Sequence, residues 1–364
     1  MKKYIITLLI MSALQLVGCQ NTSPRKETGI KATLKESIDT YLTTNISAES
    51  AGVAVLITQD QQVLYSSQSG MANTHSQQAI THDTGFRIGS ISKPFTALAV
   101  MQLYEQGLLT LDDALLDYIP ELPTSWHAIT LHHLLTHQSG IPDFGNDMNI
   151  VDDWPDGVTN TDIVNFFEKN GTLEFEPGSY GDYSNTGYVL LAEIISRISG
   201  LRFSDYMQQH IFSPLNMQHS YIADEYSTAL DNHALNFAEF TTVFGNDFYI
   251  SGSSGIISSI NDMNKFMEAF LRGDIVSLQT IELMRQNHTK DWPSPSDYGY
   301  GFYVDPEEIR DSLAHAGGND SFRSLMIMNR DTNAQLIILG NEGHQTIDYN
   351  YIIELVGAFG PQPE

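Results

Sequence analysis

Phe86-Arg87-Ile88-Gly89-Ser90-Ile91-Ser92-Lys93-Pro94 opens a long apolar run and carries a hydroxyl and an amine three residues apart. On an α-helix such a pair shares a face, with Cβ atoms about 5–6 Å apart. Lys93 can then take the Ser90 proton, provided burial or neighbouring charge keeps its amine neutral. Pro94 has no N–H and is tolerated mainly in a first helical turn, so the spacing predicts a helix starting near Ser90. The unpaired first-turn amides would stand beside the hydroxyl, where a developing oxyanion needs donors. Phe95, Leu98, Met101 and Leu103 continue the helix, and Gly107 suits its left-handed cap. Taken alone, Ser-x-x-Lys equally describes a capping serine with an exposed lysine, so the rest of the chain has to decide.

Two further stretches bear on that choice. Tyr180-Gly181-Asp182-Tyr183-Ser184-Asn185-Thr186-Gly187-Tyr188 precedes a helical pattern, Val189–Ile195, that closes at Gly200. A Tyr and an Asn two apart on a turn ahead of a helix can point into one cleft. The phenol can relay a proton between Ser and Lys, and the amide can hold a substrate carbonyl and the Lys ammonium. Cations nearby are expected to lower the Tyr183 pKa and make it a better base. The bland alternative is a packed tyrosine beside a capping asparagine. His315-Ala316-Gly317-Gly318 lies between the strand-like runs 298–304 and 322–329. On a strand, His315 and Gly317 face the same side, and glycines there admit close approach of a ligand backbone. The Gly318 N–H then offers a second oxyanion donor beside that of Ser90, unless His315 is simply a structural histidine.

The three stretches, in this order and at these separations, resemble the serine β-lactamase and penicillin-binding-protein-like hydrolases. The branch is that of class C β-lactamases, D,D-carboxypeptidases, D-aminopeptidases and related esterases. Leu134-Leu135-Thr136-His137-Gln138-Ser139-Gly140, Glu176-Pro177-Gly178 and Gly252–Ser259 followed by Asp262 agree with it, and the resemblance spans roughly residues 33–358. It implies a two-step acyl transfer with Ser90 as nucleophile and Lys93 with Tyr183 as the proton-transfer pair. Asn185 would contact the substrate amide and Lys93. His315 and Gly317 would line the opposite strand, and the Ser90 and Gly318 amides would form the oxyanion hole. One departure matters: class C β-lactamases usually carry Lys-Thr-Gly where this chain has His315-Ala316-Gly317. A histidine of ordinary pKa is mostly neutral at pH 7, which favours neutral acyl donors. It also predicts activity that falls as pH drops through the histidine range. Arg323 is a candidate replacement cation, against the reading of a solvated surface arginine.

The expected activity is therefore that of a serine hydrolase acting on esters, small amides or D-peptides, without a cofactor. The alternatives within the class are a D,D-carboxypeptidase and a class C-like β-lactamase. A different class is a weakly catalytic penicillin-binding sensor or scaffold lipoprotein. His133 and His137 stand i, i+4, but no glutamate holds the zinc-protease position between them, so His132, His133 and His137 are read as structural and no metal is expected. There is no Gly-x-Ser-x-Gly elbow and no phosphate-cradling glycine loop.

At the N-terminus, Lys2 and Lys3 precede the apolar stretch Tyr4–Val17, which reads as the core of a signal peptide. Leu16-Val17-Gly18-Cys19 resembles a bacterial lipobox, and Cys19 is the only cysteine of the 364 residues. Residues 1–18 are thus expected to be a leader and 19–30 a polar tether. Lipid on Cys19 would anchor the protein to the periplasmic face of the cell envelope, the outer membrane if the cell is Gram-negative. The formal net charge of −26, from 44 acidic and 18 basic residues, argues against nucleic acid as a partner and against direct adhesion to anionic lipid.

The coarse pattern predicts an α+β fold. Leu34–Tyr41 looks helical, and residues 52–58 and 62–67 alternate as a hairpin. Residues 90–240 are helix-rich, with loop-like stretches around 141–160 and 224–250. Two helices follow Asn261, then strands near 299–304, 322–329 and 334–341, and a closing helix over 347–359. Segments 31–85 and 245–364 are expected to form one antiparallel sheet flanked by helices. Residues 86–244 would be a mostly helical insertion carrying Ser90 and Tyr183, with the cleft between the two.

Overall fold

Val53–Gln59 (β1) and Gln62–Ser69 (β2) form the expected hairpin, with Asp60 and Gln61 at positive φ in its tight turn. The computed structural model describes residues 32–144, 157–224, 226, 232–235, 249–289, 297–306, 311–319, 322–342, 348 and 351–353. The leader, Cys19, the tether, much of the two expected loops and most of the closing helix lie outside the described residues; 351–353 are helical.

Five C-terminal strands complete the main sheet: Asp297–Tyr298 (β3), Tyr303–Val304 (β4), Ser312–Asn319 (β5), Phe322–Asn329 (β6) and Ala334–Gly340 (β7). The order β2-β1-β7-β6-β5-β4-β3 is antiparallel throughout, and β1 lies against β7 in the register Val53↔Gly340 to Gln59↔Ala334. The two ends of the chain thus share one sheet, as the pattern of strands predicts. The expected strand over 299–304 is instead a tight hairpin, because Gly299 and Gly301 make its turn. The Gly299 N–H bonds to the Phe302 carbonyl at 2.9 Å.

The central strands are apolar on both faces, as strands covered on both sides must be. Val53, Val55, Ile57, Ile327, Leu336 and Ile338 pack under Ile38 and Leu42 of helix α1 (Ala32–Asn45). Ala54, Leu56, Met326, Met328, Ile337 and Leu339 face the larger core. Each fully buried aliphatic side chain contributes about 1.5–3 kcal/mol, so two such layers hold the sheet firmly.

Helix α2 (Ser92–Glu105) runs through that larger core, buried without a break from Ser92 to Met101. Such a helix has no solvent face and is a central strut rather than a surface element. Phe95 stacks on Phe266 of the Ile260–Arg272 helix, with ring centroids 3.6 Å apart. The helix ends at Gly107 as expected: Leu108 N–H bonds to the Leu103 carbonyl and Gly107 N–H to the Tyr104 carbonyl, both at 3.0 Å. Helix α3 (Asn185–Ser199) packs on α2; the Ser184 hydroxyl caps its start and Gly200, in the left-handed conformation, ends it. Among the described residues no helix is long and apolar enough to cross a membrane.

Candidate active site

Ser90 sits on a 3₁₀ turn, Gly89–Ile91, that leads directly into α2, so the helix does start where Pro94 requires. The turn is pressed against β5. Gly89 has φ +53°, and a Cβ there would stand 2.6 Å from the Gly318 nitrogen. A Cβ on Gly317 would stand 2.0 Å from the Ile88 carbonyl oxygen. The Ser324 hydroxyl, from β6, bonds to that same carbonyl at 2.7 Å. Only glycine on both sides permits this approach, and it brings the Gly318 amide beside the Ser90 turn. Ser90 keeps partial exposure while Gly89 and Ile91 are buried.

Lys93 is fully buried. Its Nζ lies 2.7 Å from Asn185 Oδ1, 3.1 Å from the Ser253 carbonyl oxygen and 3.1 Å from Ser90 Oγ. The first two partners are pure acceptors and take two N–H bonds; the third direction is the serine hydroxyl. Burial pushes the Lys93 pKa down to about 7, and the Asp143 carboxylate opposes part of that fall. Near neutral pH a large fraction of the amine is therefore unprotonated, with its lone pair available to Ser90.

The orientation of Asn185 follows from its partners. Its backbone N–H and its side-chain Nδ2 both donate to Asp143 Oδ2, each at 2.9 Å, which leaves Oδ1 for Lys93. Asp143 is itself largely buried, in the loop that follows Gly140. Its carboxylate sits at the N-terminus of the 15-residue α3, where first-turn amides and the helix dipole favour negative charge.

The Tyr183 ring lies under the ammonium position, with Lys93 Nζ 4.6 Å from its centroid. The expectation that cations would acidify this phenol is overturned. Burial holds the Tyr183 pKa well above its ordinary value, with hydrogen bonding to Ser90 opposing and the nearby Tyr303, Tyr188 and Asp143 adding to the rise. Tyr183 thus keeps its proton and touches Ser90 as a phenol. His137, at φ +60°, accepts the Ser184 N–H on Nδ1 at 3.0 Å and packs against Tyr183 at 4.4 Å between ring centroids. It braces the turn that carries Tyr183 and Asn185.

His315 and Gly317 do face the same side of β5, toward the core that holds Lys93, while Ala314 packs on the α1 side. His315 Nδ1 lies 2.7 Å from the Ala316 carbonyl oxygen and must carry the proton there, so Nε2, 3.1 Å from the Tyr298 hydroxyl, accepts. Both ring nitrogens are occupied. Burial first, and the charge of Lys93 second, push the His315 pKa down to about 3, against the pull of the Ala316 carbonyl. The expected titration of His315 near its ordinary value is therefore corrected: it is a fixed neutral wall.

Over this geometry, a family model described as Beta-lactamase matches residues 34–356. The chain belongs to that family. Penicillin-binding protein 4* of Bacillus subtilis (strain 168) is 29% identical over 311 residues, covering 80% of this chain and 68% of its own. An octameric penicillin-binding protein homologue from Pyrococcus abyssi matches with a TM-score of 0.74 at 28% identity, over 89% of this chain and 77% of that one. The D-amino acid amidase of Ochrobactrum anthropi SV3, complexed with D-phenylalanine, gives 0.73 at 25% identity, over 90% and 98%. The α+β fold is thus the β-lactamase/transpeptidase one, and this β-lactamase-family chain is a serine hydrolase.

Some features of this family member were not visible in advance. Asp143, the Ser253 carbonyl and Tyr298 complete the site, although none stands out in the sequence. Arg323, paired across the ladder with Gly318, shares the sheet face of Leu325 and Ala314, the side away from Ser90. It is not placed to replace the missing third-motif lysine. His132 and His133 serve packing and capping: His132 Nδ1 meets the Tyr300 hydroxyl at 2.8 Å, and His133 Nδ1 accepts the Thr130 N–H at 3.2 Å.

Proposed function

We propose that this protein hydrolyses esters and small neutral amides, D-peptides among them, through an acyl-enzyme on Ser90. The observation that carries the reading is the buried Lys93 amine, 3.1 Å from the serine hydroxyl and held by two carbonyl acceptors. Neutral Lys93 takes the Ser90 proton as Oγ bonds to the acyl carbon. The Ser90 and Gly318 amides receive the oxyanion. The Tyr183 phenol passes a proton to the departing alkoxide or amine and is resupplied from the Lys93 ammonium. Water then repeats the sequence on the acyl-enzyme, with Asn185 Nδ2 offering its second hydrogen to the acyl-group amide.

The preference for neutral acyl donors is supported by the fixed neutral His315 and by Arg323 lying on the other face of the sheet. A substrate carboxylate would find no permanent cation from either. The test is turnover of a short-chain p-nitrophenyl ester beside intact-mass analysis with a labelled penicillin, for wild type and Ser90→Ala. Ester turnover that vanishes in the variant, with no lasting adduct, supports the reading. A lasting penicilloyl adduct with little ester turnover would replace it with that of a D,D-carboxypeptidase or penicillin sensor, and rapid consumption of the penicillin with that of a β-lactamase.

The export and anchoring of the chain belong to the same proposal. The Lys2-Lys3 start, the apolar stretch and the lipobox-like Leu16–Cys19 support cleavage before Cys19, lipidation there and a place on the periplasmic face of the envelope. Cys19→Ala should release the protein from the membrane fraction. Unchanged membrane association would refute lipid anchoring.

A further inference from the structure

We propose that Asp143 is a positioning residue for this acyl transfer: it fixes the Asn185 amide with its carbonyl toward Lys93 and places a carboxylate in the network that holds the Lys93 amine. The inference rests on the function proposed above.

The geometry separates two roles within one side chain. An asparagine side chain is a fork of nearly symmetric shape, and its surroundings decide which way the acceptor oxygen and the donor nitrogen point. Here one end meets a cation donor, Lys93 Nζ at 2.7 Å, and the other a carboxylate acceptor, Asp143 Oδ2 at 2.9 Å. Reversing the amide would set its NH₂ against the Lys93 donors and its oxygen against the Asp143 carboxylate, two repulsive contacts at once. The second bond, from the Asn185 backbone N–H to the same Oδ2, ties this choice to the first residue of α3. Asp143 therefore dictates which way Asn185 points without touching Ser90.

Charge is the other role. The groups around Lys93 are Asp143, the phenols Tyr183 and Tyr188, and the imidazoles His137 and His315, both pressed toward the neutral form by burial and by Lys93 itself. Among the described residues a further acid near Asp143 is Glu174, whose own pKa is raised by burial and by Asp182 and Asp143. Among these groups Asp143 is the one that favours the ammonium form of Lys93.

Because both bonds from Asn185 end on a single oxygen, Asp143→Asn can preserve them through its carbonyl while removing the charge. Asp143→Ala removes both. In wild type and the two variants, the pH dependence of kcat/KM for the p-nitrophenyl ester is measured, with thermal melting to confirm folding and Ser90→Ala as the control. The expected result is that Asp143→Asn retains turnover with its acid limb moved down by about one pH unit, the scale of a nearby opposite charge. Asp143→Ala should lose turnover at every pH by tenfold or more. A limb in Asp143→Asn that superimposes on wild type, or full turnover in Asp143→Ala, would overturn the inference. Turnover that survives Ser90→Ala would instead overturn the proposed function, so the two failures are distinct.

Discussion

Lowering the pH from 8 to 6 should slow the reaction about tenfold through Lys93, not through a histidine. Burial takes the amine from its ordinary value of 10.5 to about 7. With that value about 90% of the amine is neutral at pH 8, half at pH 7 and about a tenth at pH 6. If the neutral amine accepts the Ser90 proton, kcat/KM falls about tenfold over those two units and continues at tenfold per unit below. His315, at about 3, adds nothing in this window, and His137 is likewise held neutral by burial. The measurement is the initial rate of ester hydrolysis at low substrate from pH 5 to 9, corrected for spontaneous hydrolysis. Intact-mass detection of acyl-enzyme at short times reports the first step separately. Lys93→Arg places a permanent cation at the same position and should be inactive across the range. A profile flat between pH 5.5 and 8, or activity retained in Lys93→Arg, would refute the assignment of Lys93 as the base.

Other expectations concern the support of the site. Gly89→Ala forces a side chain into a left-handed backbone and toward the Gly318 nitrogen 2.6 Å away; it should cost about 1–3 kcal/mol in denaturant unfolding and lower turnover by at least tenfold as the turn and β5 separate. Phe95→Ala removes the ring stacked on Phe266 and should cost about 3–5 kcal/mol, read as a lower urea midpoint at unchanged m. Asn341 accepts the Gly52 N–H at 2.9 Å and donates to the Met71, Ala72 and Leu235 carbonyls at 3.1–3.2 Å. Asn341→Leu removes these bonds, leaves the buried Gly52 N–H without this acceptor and should cost at least about 2 kcal/mol, with thermal melting as the check.

What could be read from the residues in advance was what depends on local spacing. Ser90 and Lys93 declare their relation through a three-residue interval, and Tyr183 and Asn185 through a turn before a helix. The β1–β2 hairpin shows in its alternation. Asp143 gave no such sign, since a carboxylate after Ile141-Pro142 looks like any loop acid and its partner lies 42 residues away. The Ser253 contribution is a backbone oxygen, for which side-chain identity carries no information. Burial was the other blind spot. The Tyr183 phenol and the His315 ring were expected to titrate lower and near neutrality, respectively, and both are displaced because burial disfavours their charged forms. Composition states how much apolar surface exists, but not which polar group lies beneath it.

The dependence of the Lys93 amine on complete enclosure ties reactivity to the integrity of the fold. A lysine in water has a pKa near 10.4, so at pH 7 only about one in 2,500 is neutral, roughly a thousandfold less than in the closed site. Any opening that lets solvent reach Nζ, as in a chain still folding, protonates the amine, and on the proposed mechanism this silences Ser90. The proposed nucleophile would thus be armed by assembly itself and disarmed whenever α2, α3 and β5 part.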